Sequence, residues 1–148
     1  MVGNHRPLTW LTMPTALVVA DGSWVTNEVR AALSIGSWQI EEINDPRTVV
    51  DRVEESRVDA VIIDMQVGSA GGMAVVRWIR QATDPALRPR MVLLLDRSAD
   101  VFLAGRAGAD ASVLKPFDAS ELRSALAVEP AHAPPDEEPV AALAGEEE

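Results

Sequence analysis

With 148 residues, 47% of them hydrophobic and 24% charged, the chain is long enough for one domain with a buried core. Its formal net charge of −10 is concentrated at one end: residues 129–148 hold seven acids and no Lys or Arg, leaving 16 acids against 13 bases elsewhere. Nothing in that balance favours a nucleic-acid partner, since the sequence has no basic stripe, and no apolar run is long enough to span a membrane. With no cysteine there is neither a disulfide framework nor a thiolate metal site, which fits a reducing cytoplasm.

Residues 1–14 read as an N-terminal extension, with Trp10 and Leu11 placed to dock on the body. His5 and Arg6 before an apolar stretch from Leu8 to Ala20 give it a loose likeness to a secretory leader. Pro7 and Pro14 interrupt that stretch, and its last residues read better as a core strand. Ala16–Ala20 is a short continuous apolar run ending at Asp21, as a buried parallel strand would be. Val25, Val29 and Leu33 recur at helical spacing, and Gly36 ends that helix. Trp38–Ile43 is a weaker strand. Asp45-Pro46 opens a helix whose apolar face is Val49, Val50 and Val53.

Ala60–Ile63 is the third strand, ending at Asp64, and the glycine-rich loop Gln66–Gly72 follows. That loop matches no phosphate-binding glycine motif and reads as a turn. The next helix turns Val75, Val76 and Ile79 inward and runs to about Thr83, with Trp78 facing outward or half-buried at an edge. Met91–Leu95 ends at Asp96; Ser98 is positioned to cap a helix through Ala107, which Gly108 breaks. Ala111–Leu114 ends at Lys115, and Asp118 with Glu121 forms an acidic variant of the capping box for a helix over Glu121–Ala127. After Val128 the composition turns to Pro, Ala and Glu, predicting a disordered acidic tail over 129–148. Five strand–helix repeats predict an α/β fold: a doubly wound, five-stranded parallel sheet with helices on both faces.

Three of those strands end in a carboxylate (Asp21, Asp64 and Asp96), and the fifth ends in Lys115, the single lysine among 13 Lys and Arg residues. In an open parallel sheet, ligands bind outside the carboxyl ends of the strands, so the four side chains are expected at one edge. Such a group suits a divalent ion, since Mg²⁺ takes one or two carboxylates, waters and a phosphate.

Over residues 15–128 the sequence resembles a response-regulator receiver domain (CheY-like). Asp64 at the end of AVIID, with the pattern Gly72-Met-x-Val-Val-Arg-x-Ile-Arg80 behind it, is similar to that family's phosphoacceptor and following helix. Ala107-Gly-Ala-Asp110, then Lys115-Pro116-Phe117, is similar to its "AGAD…KPF" signature. The resemblance implies a flavodoxin-like (βα)5 fold with strand order 2-1-3-4-5. It implies that Asp64 accepts a phosphoryl group from a histidine kinase, a phosphotransfer protein or a small phosphodonor. Mg²⁺ would be held by Asp21, Asp64 and the backbone carbonyl of Gln66, and Lys115 would contact the phosphoryl oxygens across a cis Lys115-Pro116 bond. No enzyme activity is implied beyond self-phosphorylation and dephosphorylation on Asp64. A homodimer through the fourth and fifth helices is the family's common assembly.

The departures carry their own expectations. Ala20 replaces the first acid of the usual pair, which weakens metal binding, and Gly68 replaces a proline after the phosphoacceptor. The stretch from Asp96 to Lys115 is about three residues short, and Ser112 replaces the switch aromatic. Most consequential, Asp96 stands where the family has Thr or Ser. A carboxylate cannot donate a hydrogen bond unless protonated. Two carboxylates about 5 Å apart at an effective dielectric near 20 repel by roughly 3 kcal/mol. The lost charge-assisted hydrogen bond adds about 1.5–3 kcal/mol, which together exceeds the gap between typical switch states. Asp96 is therefore expected to pair with Lys115 or Arg97, to ligate a metal, or to cap the next helix, and the usual switch to be impaired or rewired.

The leading expectation is a stand-alone, atypical receiver that signals through a separate protein. The alternative is a phosphorylation-independent pseudo-receiver that acts as an interaction or dimerisation module. An aspartyl-phosphate phosphatase of the haloacid-dehalogenase type needs an acid where Gln66 stands. A dinucleotide enzyme needs a glycine-rich turn after the first strand, and there is none.

Overall fold

The computed structural model describes residues 13–36 and 38–127. The expectations for Trp10, Leu11 and the acidic tail lie outside the described residues. Five strands form one parallel sheet: β1 (Thr15–Val19), β2 (Gln39–Ile43), β3 (Ala60–Asp64), β4 (Arg90–Leu95) and β5 (Ala111–Leu114). Their order is β2-β1-β3-β4-β5, as the resemblance implied. The helices are α1 (Ser23–Ala32), α2 (Val49–Glu55), α3 (Gly72–Ala82), α4 (Val101–Ala107) and α5 (Ala119–Leu126).

The period of two along each strand sorts the core into two layers. Ala16, Val18, Ala60, Ile62, Val92, Leu94 and Val113 pack with Val25 and Val29 of α1 and Leu122 and Leu126 of α5. Leu17, Val19, Val61, Ile63, Met91, Leu93 and Leu95 pack on the other face, with Val49 of α2, Val75, Val76 and Ile79 of α3, and Ala104 of α4. Central strands buried on both faces must be apolar throughout, which is why β1, β3 and β4 were such plain runs in the sequence. Edge strand β2, with Glu41 and Glu42, was weaker for the same reason.

Several local expectations need correction. α1 ends at Ala32, and residues 33–36 form a turn in which the Gly36 amide bonds the Leu33 carbonyl at 3.1 Å. Ser98 does not cap α4. It begins a 3₁₀ turn (Ser98–Asp100) that leads into the helix, and no side chain caps that turn. The acidic capping box of α5 is present in both directions, Glu121 amide to Asp118 Oδ1 at 2.8 Å and Asp118 amide to Glu121 Oε1 at 2.9 Å. α4 carries exposed Val101, Phe102 and Leu103, whereas Trp78 is half-buried against the α2–α4 core. No helix among the described residues is long and apolar enough to cross a membrane.

Candidate functional site

Register and side-chain parity assemble the site. Asp64 closes β3 opposite Leu94, and Leu95 of β4 pairs with Leu114 of β5, so Asp96 and Lys115 leave adjacent strands side by side. Lys115 is tied there by its amide, which donates to the Leu95 carbonyl at 2.8 Å, and its bond to Pro116 is cis. Asp64, Asp96 and Lys115 share the parity of Ile62, Leu94 and Val113, the face that α1 covers. Their side chains meet. The Lys115 ammonium donates to Asp64 Oδ1 at 2.7 Å and lies 3.1 Å from Asp96 Oδ1.

From the same face, Trp24 at the start of α1 places its ring 5.5 Å from the Lys115 ammonium. Gly72 allows α3 to begin tight against β3. A Cβ there would stand 2.7 Å from the Asp64 carbonyl oxygen and 2.8 Å from Leu93 Cδ2.

The electrostatics favour a closed trio. Asp64 and Lys115 keep only 10% and 13% of their side-chain surface in water, against 38% for Asp96. Burial alone would push the lysine's pKa down, but hydrogen bonds and charge from Asp64 and Asp96 outweigh it and hold the ammonium above its ordinary range. At an effective dielectric of about 20, opposite charges 4 Å apart attract by roughly 4 kcal/mol. That exceeds the repulsion of about 3 kcal/mol between two carboxylates near 5 Å. Water screens the Asp96 branch more than the Asp64 branch.

Of the protein partners expected for Asp96, the structure shows Lys115. Arg97 turns away to Asp100 at 3.2 Å, and Asp96 caps no helix. A further partner went unread in the sequence: the Gln66 side-chain amide donates to Asp96 Oδ2 at 2.8 Å. Its signal was a polar amide two residues past Asp64 in the same loop. The Asp21 carboxylate accepts from the Gly68 amide, 3.0 Å from both its oxygens, which anchors the loop after β3. The buried Asp100 was also missed.

Among the described residues no group of three or more His, Cys, Asp or Glu side chains is placed to hold a metal ion. The oxygens at this edge nevertheless suit a hard cation. Asp64 Oδ2 has no hydrogen-bond partner among the described residues, the Asp21 carboxylate is exposed, and the Gln66 carbonyl lies in the same loop.

The family model for the response regulator receiver domain matches residues 16–127. Response regulator MprA of Mycolicibacterium vanbaalenii is 35% identical over 107 residues, which cover 72% of this chain and 46% of that protein. Response regulator MprA of Mycobacterium sp. (strain KMS) is 32% identical over 124 residues, covering 83% and 53%. The chain spans about half the length of these curated relatives.

Among solved structures, chemotaxis response regulator CheY4 of Vibrio cholerae matches with a TM-score of 0.67 at 23% identity, over 78% of this chain and 97% of that one. A putative response regulator from Chloroflexus aurantiacus gives 0.68 at 20% identity, over 79% and 100%. Likenesses at such identities show the fold. The family match extends across the strands that carry Asp64, Asp96 and Lys115, and on it the chain belongs to the response regulator receiver domain family.

Proposed function

We propose that this receiver accepts a phosphoryl group on Asp64 from a histidine kinase, a phosphotransfer protein or a small phosphodonor, and that Asp96 competes with the phosphoryl group for Lys115. The observation that carries this reading is the shared ammonium, 2.7 Å from Asp64 and 3.1 Å from Asp96. Asp64 Oδ2 attacks phosphorus while the donor's P–N bond, or the P–O bond of an acyl phosphate, breaks in line. The electron pair leaves with the donor's imidazole or carboxylate. Mg²⁺, held by Asp21, Asp64 and the Gln66 carbonyl, would supply neutralising charge for the phosphoryl oxygens. Lys115 supplies the chain's own share of that charge, and it must loosen from Asp96 to do so.

The same observation favours a second reading, a pseudo-receiver whose lysine is already satisfied by protein carboxylates. The two readings separate on one experiment. The protein is incubated with acetyl phosphate and Mg²⁺, and intact mass is compared for wild type and Asp64→Asn. A phosphoryl adduct on wild type alone is expected. No adduct where a typical receiver is labelled sinks the phosphoacceptor reading and leaves the pseudo-receiver.

A further inference from the structure

The edge of the sheet opposite Asp64 holds a cleft of about 830 Å³, at the amino ends of β3 and β4. Arg57, Arg80, Arg88 and Arg90 line it. Arg57 pairs with Asp59 at 3.0 Å, but among the described residues Arg80, Arg88 and Arg90 have no carboxylate partner.

Neutral oxygens hold these three guanidiniums in place. Arg80 donates to the Gly108 carbonyl at 3.3 Å, and Arg88 donates to the Arg80 and Thr83 carbonyls at 3.0 and 3.1 Å. Arg90 Nε donates to the Ala125 carbonyl at 2.6 Å. Each guanidinium has five N–H donors, so every one keeps donors and its full charge to offer. Glu54 and Asp110 also line the cleft, and one oxygen of Asp110 is taken by the Met91 amide at 2.8 Å. Exposed Leu87 gives the rim an apolar point.

The chain carries its own complement to this surface. Residues 129–148 contain seven acids and no Lys or Arg, with Asp136, Glu137 and Glu138 in one run and Val140 and Leu143 just beyond. Arg90, which lines the cleft, also grips the last turn of α5 at Ala125, two residues before the described chain reaches Ala127. Asp136 lies ten positions beyond Leu126, a reach of at most about 33–36 Å. Tethering at that length gives an effective concentration in the millimolar range, so exposed ion pairs that would not hold a free peptide suffice.

We propose that the acidic segment 129–148 docks on this arginine cleft, with Asp136, Glu137 and Glu138 against Arg80, Arg88 and Arg90. The docked segment lies on the far side of the sheet from Asp64 and leaves the phosphoacceptor open. Its state is independent of the chemistry proposed for Asp64.

The chain has no cysteine, so Ala142→Cys carries one nitroxide cleanly. In the full chain at low salt, amide line broadening by the label is expected to concentrate at Leu87, Arg88 and Arg90. It should fall at least threefold in 1 M salt, where the screening length is about 3 Å. It should fall as far when Asp136, Glu137 and Glu138 are all replaced by lysine, changes that lie outside the folded body. Broadening that instead decays evenly with distance from Ala127 and ignores both salt and charge reversal overturns the proposal. So does broadening concentrated on another face.

Discussion

Lys115 is a cation committed at rest. It lies between Asp64 and Asp96, and its pKa is raised above the ordinary 10.5 because their hydrogen bonds and charge outweigh burial. A base with a raised folded-state pKa adds stability that is complete below its unfolded value and is lost as pH climbs through the folded one. Lys115→Met should therefore destabilise the domain by about 1–3 kcal/mol, the cost of breaking a buried pair reduced for partial exposure. That gap should hold from pH 7 to about 10 and narrow only above it. Urea unfolding of both proteins across this range checks it; a gap that closes below pH 9 would mean the trio is not held by the ammonium.

At the scale of elements, the site depends on how closely α3 starts against β3. Gly72→Ala places a methyl group 2.7 Å from the Asp64 carbonyl oxygen and 2.8 Å from Leu93 Cδ2, so backbone must shift. Overpacking of this kind costs about 1–3 kcal/mol, and a loss of stability in that range is expected in urea unfolding. A variant as stable as wild type would show that α3 can move away freely. The sequence showed Gly72 as the end of a glycine-rich turn and the start of a helical pattern, not as a packing constraint, because the clash depends on β3, β4 and α3 meeting. The buried strands were legible from their unbroken apolar runs. Ser98 was misread because a hydroxyl before a helical pattern signals a cap, while the chain spends those residues on a 3₁₀ turn.

For the molecule as a whole, the parallel alternation and the convergence of strand ends on one edge could be read from the sequence. The sequence left open how that edge divides, with Lys115 as one of several partners for Asp96. Side-chain parity brings Asp64, Asp96 and Lys115 together, and Asp21 is directed to the Gly68 amide. The grip of Gln66 on Asp96 also needs the loop in three dimensions. On the phosphoacceptor role proposed for Asp64, the consequence is a receiver whose Lys115 already holds a second anion, Asp96, beside that carboxylate.

Asp96→Thr tests that claim most directly, by intact mass through a time course of labelling by acetyl phosphate and subsequent decay. Removing the competing carboxylate and restoring a donor is worth about 1.5–3 kcal/mol. The labelled fraction should rise, and the phosphoryl group should persist about tenfold longer or more than on wild type. Equal labelling and equal lifetime in the two proteins, with Asp64→Asn unlabelled, would contradict it.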